Sequence, residues 1–427
     1  MRIGHTADFH LGGSGSRLDA ESHLNARLID RFRCAQFVVE DAVNRGAELI
    51  VHCGDVGDHW HWTPTITRLA KRAFSPALEN GVPVVVLEGN HDQVRNPSEY
   101  DALDLLRDLP GLTVVDKPTL LDVWRTGRDD KLRVSEASTA MADEAELQLG
   151  CLPYPSPNLL LRDEQTRQLS PGDRNLLIRE KMMDVARGLA AQRVEGVPCL
   201  LLGHWSVDTA EVGQQSRLMM LGGEFTLNVH ELESLGFDGI LLGHIHKAQT
   251  LGDKRCWIVY CGSPEATSFN EEAEDKFYYL WELNPDLGYG PLPVPVPIET
   301  PYRRLVTLSE DDFIRELDDE ELLLDAALEE SVQGAIVRLE IPAGSTLTIA
   351  EAQRAIDAAG AFEARVSKAR AETERRRESG VTHGQPLDAQ IRAWLEQKPD
   401  LQPLTEQIIA EALRIEEALR QAEGGAG

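Results

Sequence analysis

The sequence predicts an α/β fold, and three observations carry that prediction. Short β-branched apolar runs alternate with helical periodicity through about the first two thirds of the chain, each run ends in polar residues, and a glycine precedes several of those polar ends.

The runs are Leu49-Ile50-Val51, then Val82 to Leu87 with its strand core at Val84-Val85-Val86, Cys199 to Leu202, Ile240 to Leu242, and Trp257 to Tyr260. Leu28, Phe32, Ala35, Val39 and Val43 recur at spacings of three and four, which predicts an amphipathic helix packed on a sheet. Residues 125–146 are polar with little periodicity and predict a loop or a hairpin insertion. Pro153-Tyr154-Pro155-Ser156-Pro157 predicts a turn or an extended crossing.

Composition shifts near Asn284-Pro285. Pro291, Pro293, Pro295 and Pro297 then alternate with Leu292, Val294, Val296 and Ile298, and Pro301 follows. Such a segment reads as a linker, and its missing N–H groups allow it at most an edge-strand place. Beyond it the pattern predicts an acidic helix over Asp311 to Glu330, a strand over Ala335 to Ile341 and a helix over Ile349 to Ala359, enough for a small α+β domain. From Glu363 the chain reads as charged helix, broken over Gly380 to Pro386.

At 427 residues, with 42% hydrophobic and 27% charged residues, the chain has room for two or three domains. That composition excludes collagenous, disordered and membrane-spanning classes, and no run of about 18 apolar residues is present to cross a bilayer. Met1-Arg2-Ile3-Gly4-His5 leads into a polar motif without an apolar leader, so a cytoplasmic protein is expected. Cys34, Cys53, Cys151, Cys199, Cys256 and Cys261 form no paired CxxC framework, and reduced, buried thiols are expected. The net charge of −28 argues against coating a polyanion with the whole surface. It does not exclude a nuclease, because metal ions can supply positive charge where a phosphate sits and a partner can supply a basic surface.

Five polar clusters stand at the ends of apolar runs: Asp8-Phe9-His10, Gly54-Asp55-Val56-Gly57-Asp58, Gly89-Asn90-His91-Asp92, Gly203-His204 and Gly243-His244-Ile245-His246. In an open α/β sheet, ligands bind outside the carboxyl ends of the strands, so separate clusters there can converge. Residues i and i+2 of an extended segment point to one side, which would pair Asp8 with His10 and His244 with His246. Carboxylate, imidazole and amide donors favour Mn²⁺, Fe²⁺ or Zn²⁺, and the lack of thiolates weakens a structural zinc reading. Seven candidate ligands exceed what one ion needs; two ions about 3.5–4 Å apart, bridged by one carboxylate, would use them all.

These motifs, in this order, resemble those of the calcineurin-like metallophosphoesterases: DxH, GDxx[DH], GNH[DE], GH and GHxH. The resemblance implies a two-sheet sandwich flanked by helices. It implies that Asp8, His10, Asp55 and His246 hold one ion and that Asp55, Asn90, His204 and His244 hold the other, with Asp55 bridging. His91 would face the phosphate as proton donor or transition-state stabiliser. Asp58 either orients His91 or caps the helix that follows. Gly57 stands where the family carries a bulky residue.

A closer likeness, to the SbcD-type nuclease subunits of bacterial SbcCD DNA-repair complexes, rests on the opening Arg2 to Gly12, on Leu241 to Gln249, on Tyr260-Cys261-Gly262-Ser263-Pro264 and on Ser268-Phe269-Asn270-Glu271. It implies a nuclease domain over 1–285, a capping domain over 286–362 and a helical partner-binding region over 363–427. The implied function is a Mn²⁺-dependent DNA exo/endonuclease subunit. It would act on DNA ends in double-strand break repair, through a hydroxide activated by two metals, with Mg²⁺, Fe²⁺ or Zn²⁺ as alternative ions. The implied partners are an SbcC-like coiled-coil ATPase, docked on the C-terminal stripe Ile408, Leu413, Ile415 and Leu419, and a second copy of the chain in a homodimer.

Two other readings stand beside this one: a phosphodiesterase or phosphatase of small substrates such as cyclic nucleotides, and a DNA-end scaffold with an idle site, against which the full ligand set argues. His59-Trp60-His61-Trp62 suits either stacking on bases or packing of its own loop. Arg375-Arg376-Arg377, among Glu372, Glu374 and Glu378, reads best as a solvated helix. No GxxxxGK[ST] sequence is present, so ATP hydrolysis is not expected of this chain.

Overall fold

The computed structural model describes residues 1–13, 17–94, 101–125, 131–138, 144–155, 169–211, 225–253, 255–284, 290–298, 303–315, 322–369, 388, 391–392, 395, 405–410 and 412. Contacts divide the chain into two compact units, residues 1–339 with 350–366 and residues 340–349 with 367–427.

In the first unit two sheets stack face to face. One contains β1 (Arg2–Thr6), β2 (Leu49–Cys53), β3 (Val84–Leu87), β4 (Leu112–Val115), β14 (Phe277–Glu282) and β15 (Leu292–Pro297), in the order β15-β14-β1-β2-β3-β4. The other contains β5 (Thr119–Arg125), β6 (Leu132–Glu136), β7 (Ala145–Leu152), β8 (Cys199–His204), β11 (Gly239–Gly243), β12 (Gln249–Asp253) and β13 (Cys256–Tyr260), in the order β12-β13-β11-β8-β7-β5-β6. β9 (Ser206–Val207) and β10 (Thr226–Leu227) form a small parallel pair beside it.

Alternation along the strands explains the layering. Leu49, Val51, Val85 and Leu87 face Leu149, Leu200, Leu202 and Leu241 in the core between the sheets. Ile50, Val84 and Val86 instead meet α1 (Ala26–Asn44) and α2 (Pro64–Glu79). On the far side Leu201, Ile240 and Leu242 meet α3 (Pro171–Ala191) and α4 (Val229–Glu233). Strands covered on both faces read as unbroken apolar runs, which is how they stood out in the sequence.

Among the described residues of 125–146, β6 pairs antiparallel with β5, which is also antiparallel to β7. The proline-rich β15 takes the sheet edge against β14, pairing Trp281 with Pro293 and Tyr279 with Pro295. On an edge strand alternate N–H groups point away from the ladder, so prolines at every second position cost it no bonds.

A three-stranded sheet follows, β16 (Leu305–Leu308), β19 (Ile336–Ile341) and β20 (Glu363–Lys368), in the order β16-β19-β20, with α6 (Ile349–Ala358). The acidic helix expected over Asp311 to Glu330 does not form among the described residues. β17 (Phe313–Arg315) pairs antiparallel with β18 (Leu322–Leu324), and only α5 (Glu329–Val332) is α-helical. Leu322 and Leu324 are buried while Leu323 is exposed, a period of two that outweighs the helix propensity of the acidic residues.

Of the second unit's C-terminal part, a helical stretch at 405–410 is described, with Ile408 half-buried and Ile409 buried. Leu413, Ile415 and Leu419, the break at Gly380 to Pro386, and Arg375-Arg376-Arg377 lie outside the described residues. No helix among the described residues is long and apolar enough to cross a membrane. All six cysteines are buried, and none is joined in a disulfide.

Candidate metal centre

The carboxyl ends of β1, β2 and β3 in one sheet and of β8 and β11 in the other meet at a cleft of about 250 Å³, lined by His10, Asp55, Asp58, Asn90, His91, His244 and His246 among others. The backbone there is forced into unusual conformations. Five described non-glycine residues have positive φ, and four are at this site: Asp8 (55°), His10 (43°), Asp55 (58°) and His244 (85°). Left-handed backbone at such residues persists only where surrounding contacts hold it, and it gathers at functional sites. Here Asp8 N donates to Gly54 O at 3.0 Å and His10 N to Asp55 O at 3.0 Å, tying the two loops together. Asp8 and His10 therefore come together through left-handed turns, not through the extended i, i+2 geometry expected from sequence. Gly243 is required by proximity, since a Cβ there would lie 2.1 Å from Cys53 O.

Around this frame the side chains fall into overlapping groups. Ligand-type atoms of Asp8, His10 and His246, of Asp8, Asp55 and His204, and of His10, Asp55 and His91 each lie within 4.8 Å of one another. His10 Nε2 stands 3.0 Å from His246 Nε2 and 3.6 Å from Asp55 Oδ2. Asp55 Oδ2 lies 3.2 Å from His204 Nε2 on the other side. Asn90 Oδ1 is 3.0 Å from both His204 Nε2 and His244 Nδ1. The structure thus brings all seven expected ligands to one place, with Asp55 between the two halves. Its inward-facing nitrogens and oxygens are mostly acceptors packed at contact distance, an arrangement that a pair of divalent cations fits.

Electrostatics follow from that packing. Burial disfavours the Asp55 carboxylate, yet the imidazoles of His204, His10 and His91 hold its carboxyl well below the ordinary range. Burial also opposes charge on His204, but the neighbouring Asp55 carboxylate raises it to about 9. Burial lowers His10, against the pull of Asp58 and Asp55. His204 Nδ1 lies 2.6 Å from Cys53 O, which fixes the ring so that Nε2 faces the site.

His91 N donates to Asp55 Oδ1 at 2.9 Å, and its ring Nδ1 lies 2.9 Å from the carbonyl oxygen of Asp58. The orienting contact from Asp58 therefore runs through its peptide carbonyl. Its carboxylate instead lies 3.5 Å from His10 Nδ1 and 3.3 Å from Arg31 Nη1. The alternative of helix capping is taken by another residue, because Thr63 caps α2. Trp62 is buried in the core beneath α1 and α2, and a Cβ at Gly57 would lie 2.1 Å from its Nε1. Gly57 thus makes room for that indole. Trp60 is half-buried and sits edge-on to His61, 5.5 Å between ring centres.

Sequence reasoning gave no role to several residues that build this site. Asp92 accepts from the backbone N–H groups of Asp55 (2.9 Å), Val56 (3.3 Å), Gly57 (3.2 Å) and Gly89 (3.1 Å). Burial beside the Asp55 carboxylate pushes its carboxyl above the ordinary range against those donors. Arg31 donates to His10 O at 2.8 Å and holds the first loop. Glu271 lies 3.1 Å from His246 Nδ1. Tyr154 lies beside the other half, 5.8 Å from the His244 ring centre. Asp92 follows His91 directly in the GNHD motif, and that adjacency was the available signal.

A family model described as calcineurin-like phosphoesterase matches residues 1–248. The chain is 28% identical over 293 residues to the SbcD subunit of the SbcCD nuclease of Bacillus subtilis (strain 168), covering 67% of each protein. It is 27% identical over 289 residues to the corresponding SbcCD nuclease subunit of Escherichia coli (strain K12), covering 66% of this chain and 64% of that one. It is 26% identical over 288 residues to the DNA double-strand break repair protein Mre11 of Haloferax volcanii, covering 67% of this chain and 50% of that one. The match thus spans two thirds of these relatives or less.

Proposed function

The chain belongs to the calcineurin-like phosphoesterase family, and from that premise we propose that it is a metal-dependent nuclease subunit hydrolysing phosphodiester bonds at DNA ends in double-strand break repair. The observation that carries this reading is the convergence of Asp8, His10, Asp55, Asn90, His204, His244 and His246, from five strand ends of two sheets, on one open cleft. The substrate class comes from relatives named as SbcCD nuclease subunits and as Mre11.

Asp8, His10, Asp55 and His246 would hold one divalent ion, and Asp55, Asn90, His204 and His244 the other. Mn²⁺ suits this mixture of carboxylate, imidazole and amide. When bound, such ions supply positive charge for the phosphate oxygens and lower the pKa of water. The chain's own part is positioning and proton handling. Asp55 joins the two halves, and the Asp58 carbonyl keeps the His91 proton on Nδ1, so that a second proton on Nε2 is free to pass to the leaving oxygen. Arg31 fixes the His10 loop from behind.

The acidic chain leaves DNA capture to its assembly, which we place in the cytoplasm: an SbcC-like coiled-coil ATPase bound through the C-terminal region, and a second copy of the chain. Deleting residues 386–427 should abolish co-purification with such an ATPase, and retained binding would reject that docking site.

The direct test incubates the purified chain with Mn²⁺ and end-labelled linear duplex DNA beside an identically prepared Asp8→Ala variant. Degradation by the wild type alone supports the reading. Cleavage of a small phosphodiester but not of DNA, with the ATPase partner present, would replace it with a small-substrate phosphodiesterase.

A further inference from the structure

One buried carboxylate stands directly behind a candidate ligand and has no part in the chemistry above. Glu271 is 8% exposed and lies on the short 3-10 turn Phe269–Glu271. Its Oε1 is 3.1 Å from His246 Nδ1. A neutral imidazole has a single ring proton, and a carboxylate acceptor draws it to Nδ1 and leaves the lone pair on Nε2. Nε2 is the His246 atom that stands 3.0 Å from His10 Nε2, inside the group formed with Asp8.

The carboxylate is itself held from several sides. Thr267 Oγ1 donates to Oε1 at 2.5 Å, while Thr267 N (3.2 Å), Lys276 Nζ (2.7 Å) and Ser263 Oγ (3.3 Å) donate to Oε2. Lys276 and Ser263 are buried. Turning Glu271 away from His246 would break several of these bonds at once. The turn is also held from outside: the Arg338 guanidinium lies 4.6 Å from the Phe269 ring centre, and Thr307 Oγ1 donates to Glu272 at 2.6 Å.

His204 offers an internal comparison, since its Nδ1 is fixed by the Cys53 carbonyl. A carboxylate fixes the ring in the same way and also makes Nε2 a stronger donor.

We propose that Glu271 is a positioning residue that locks His246 as its Nδ1–H tautomer and aims Nε2 at the divalent ion held with Asp8, His10 and Asp55. The proposal rests on the two-ion reading and concerns one of the two ions only. The competing account makes Glu271 the counter-ion of Lys276, with purely structural value.

Titrating the full-length chain with Mn²⁺ by calorimetry, together with thermal unfolding of the metal-free proteins, separates the accounts. The variants are Glu271→Gln, Glu271→Ala and Lys276→Met. We expect both Glu271 variants to weaken one Mn²⁺ site by about 10–100-fold, the range typical of losing a ligand's orienting partner, and to leave the other site unchanged. Lys276→Met should lower Tm and weaken that site less than either Glu271 variant does, because the carboxylate keeps its bonds to Thr267 and stays beside His246. Equal loss of metal in Glu271→Gln and Lys276→Met, tracking a shared fall in Tm, would overturn the proposal, as would unchanged affinities in both Glu271 variants. A wild type that binds no Mn²⁺ would instead reject the two-ion reading itself. Should Glu271→Ala fail to fold, the isosteric Glu271→Gln decides alone.

Discussion

The Nε2 atoms of His10 and His246 stand 3.0 Å apart, although 236 residues separate them in sequence. One ring follows the end of β1 in the first sheet, and the other follows the end of β11 in the second. Two imidazole nitrogens at that distance need a proton or a cation between them, since two lone pairs repel. Each ring meets a carboxylate on its other side: His10 Nδ1 lies 3.5 Å from Asp58, and His246 Nδ1 lies 3.1 Å from Glu271. The stacking of the sheets thus does more than bury a core, because it sets the spacing of ligands contributed by opposite layers.

Asp55 joins both halves of the site, so Asp55→Asn should remove affinity for both ions together. We expect phosphodiester cleavage to fall by about 100-fold or more, since ion-mediated charge stabilisation is worth several kcal/mol. Metal content by mass spectrometry and an Mn²⁺-dependent cleavage assay measure the two effects. Substantial activity in that variant would contradict a bridging role.

His91 touches Asp55 through its backbone N–H and leaves its ring free of the other ligands' hydrogen bonds. His91→Ala should therefore keep both ions and lower kcat by about 10²–10⁴-fold, the range for losing a general acid. Parallel loss of metal would reassign His91 as a ligand, a result its grouping with His10 and Asp55 makes worth measuring.

What the sequence made legible, and what it hid, divides along physical lines. The strands Leu49–Cys53, Cys199–His204 and Gly239–Gly243 were visible because burial on both faces leaves uninterrupted apolar runs. The five polar clusters were visible because each sits at the end of such a run. Glu271 stood out in the Ser268-Phe269-Asn270-Glu271 likeness, but its contact with His246 stayed hidden, because it crosses 25 residues and leaves no periodic trace. The Asp58 carbonyl was equally hidden, since a peptide oxygen carries no side-chain signature. Around β17 and β18 acidic residues suggested a helix, and only the alternation at Leu322, Leu323 and Leu324 marked a strand.

Four backbone N–H groups converge on the Asp92 carboxylate, from both loops that carry Asp55 and Asn90. Asp92→Ala would leave these buried donors without a partner, at a cost of about 1–3 kcal/mol each before relaxation. We expect a lower urea midpoint and weakened binding of both ions, because the Asp55 loop loses its anchor. Unchanged metal affinity would mean that the left-handed backbone at Asp55 is held by other contacts.

Glu88 supplies a pH-dependence that is independent of catalysis. It is 8% exposed, and burial, reinforced by Asp101 and Asp92, pushes its carboxyl from 4.5 up to about 8. The folded state therefore binds this proton more tightly than the unfolded state. The stabilisation is fully present below pH 4.5 and is lost as pH rises through about 8. Glu88→Gln keeps a neutral side chain of the same shape at every pH. The variant should match the wild type near pH 5 and exceed it by roughly 1–3 kcal/mol near pH 9, the cost of an inadequately paired buried polar group. Urea denaturation of the metal-free protein at both pH values measures the difference. A constant gap between variant and wild type would show that Glu88 does not titrate in this window, and that Gln93, which donates to it at 3.2 Å, satisfies the charged form.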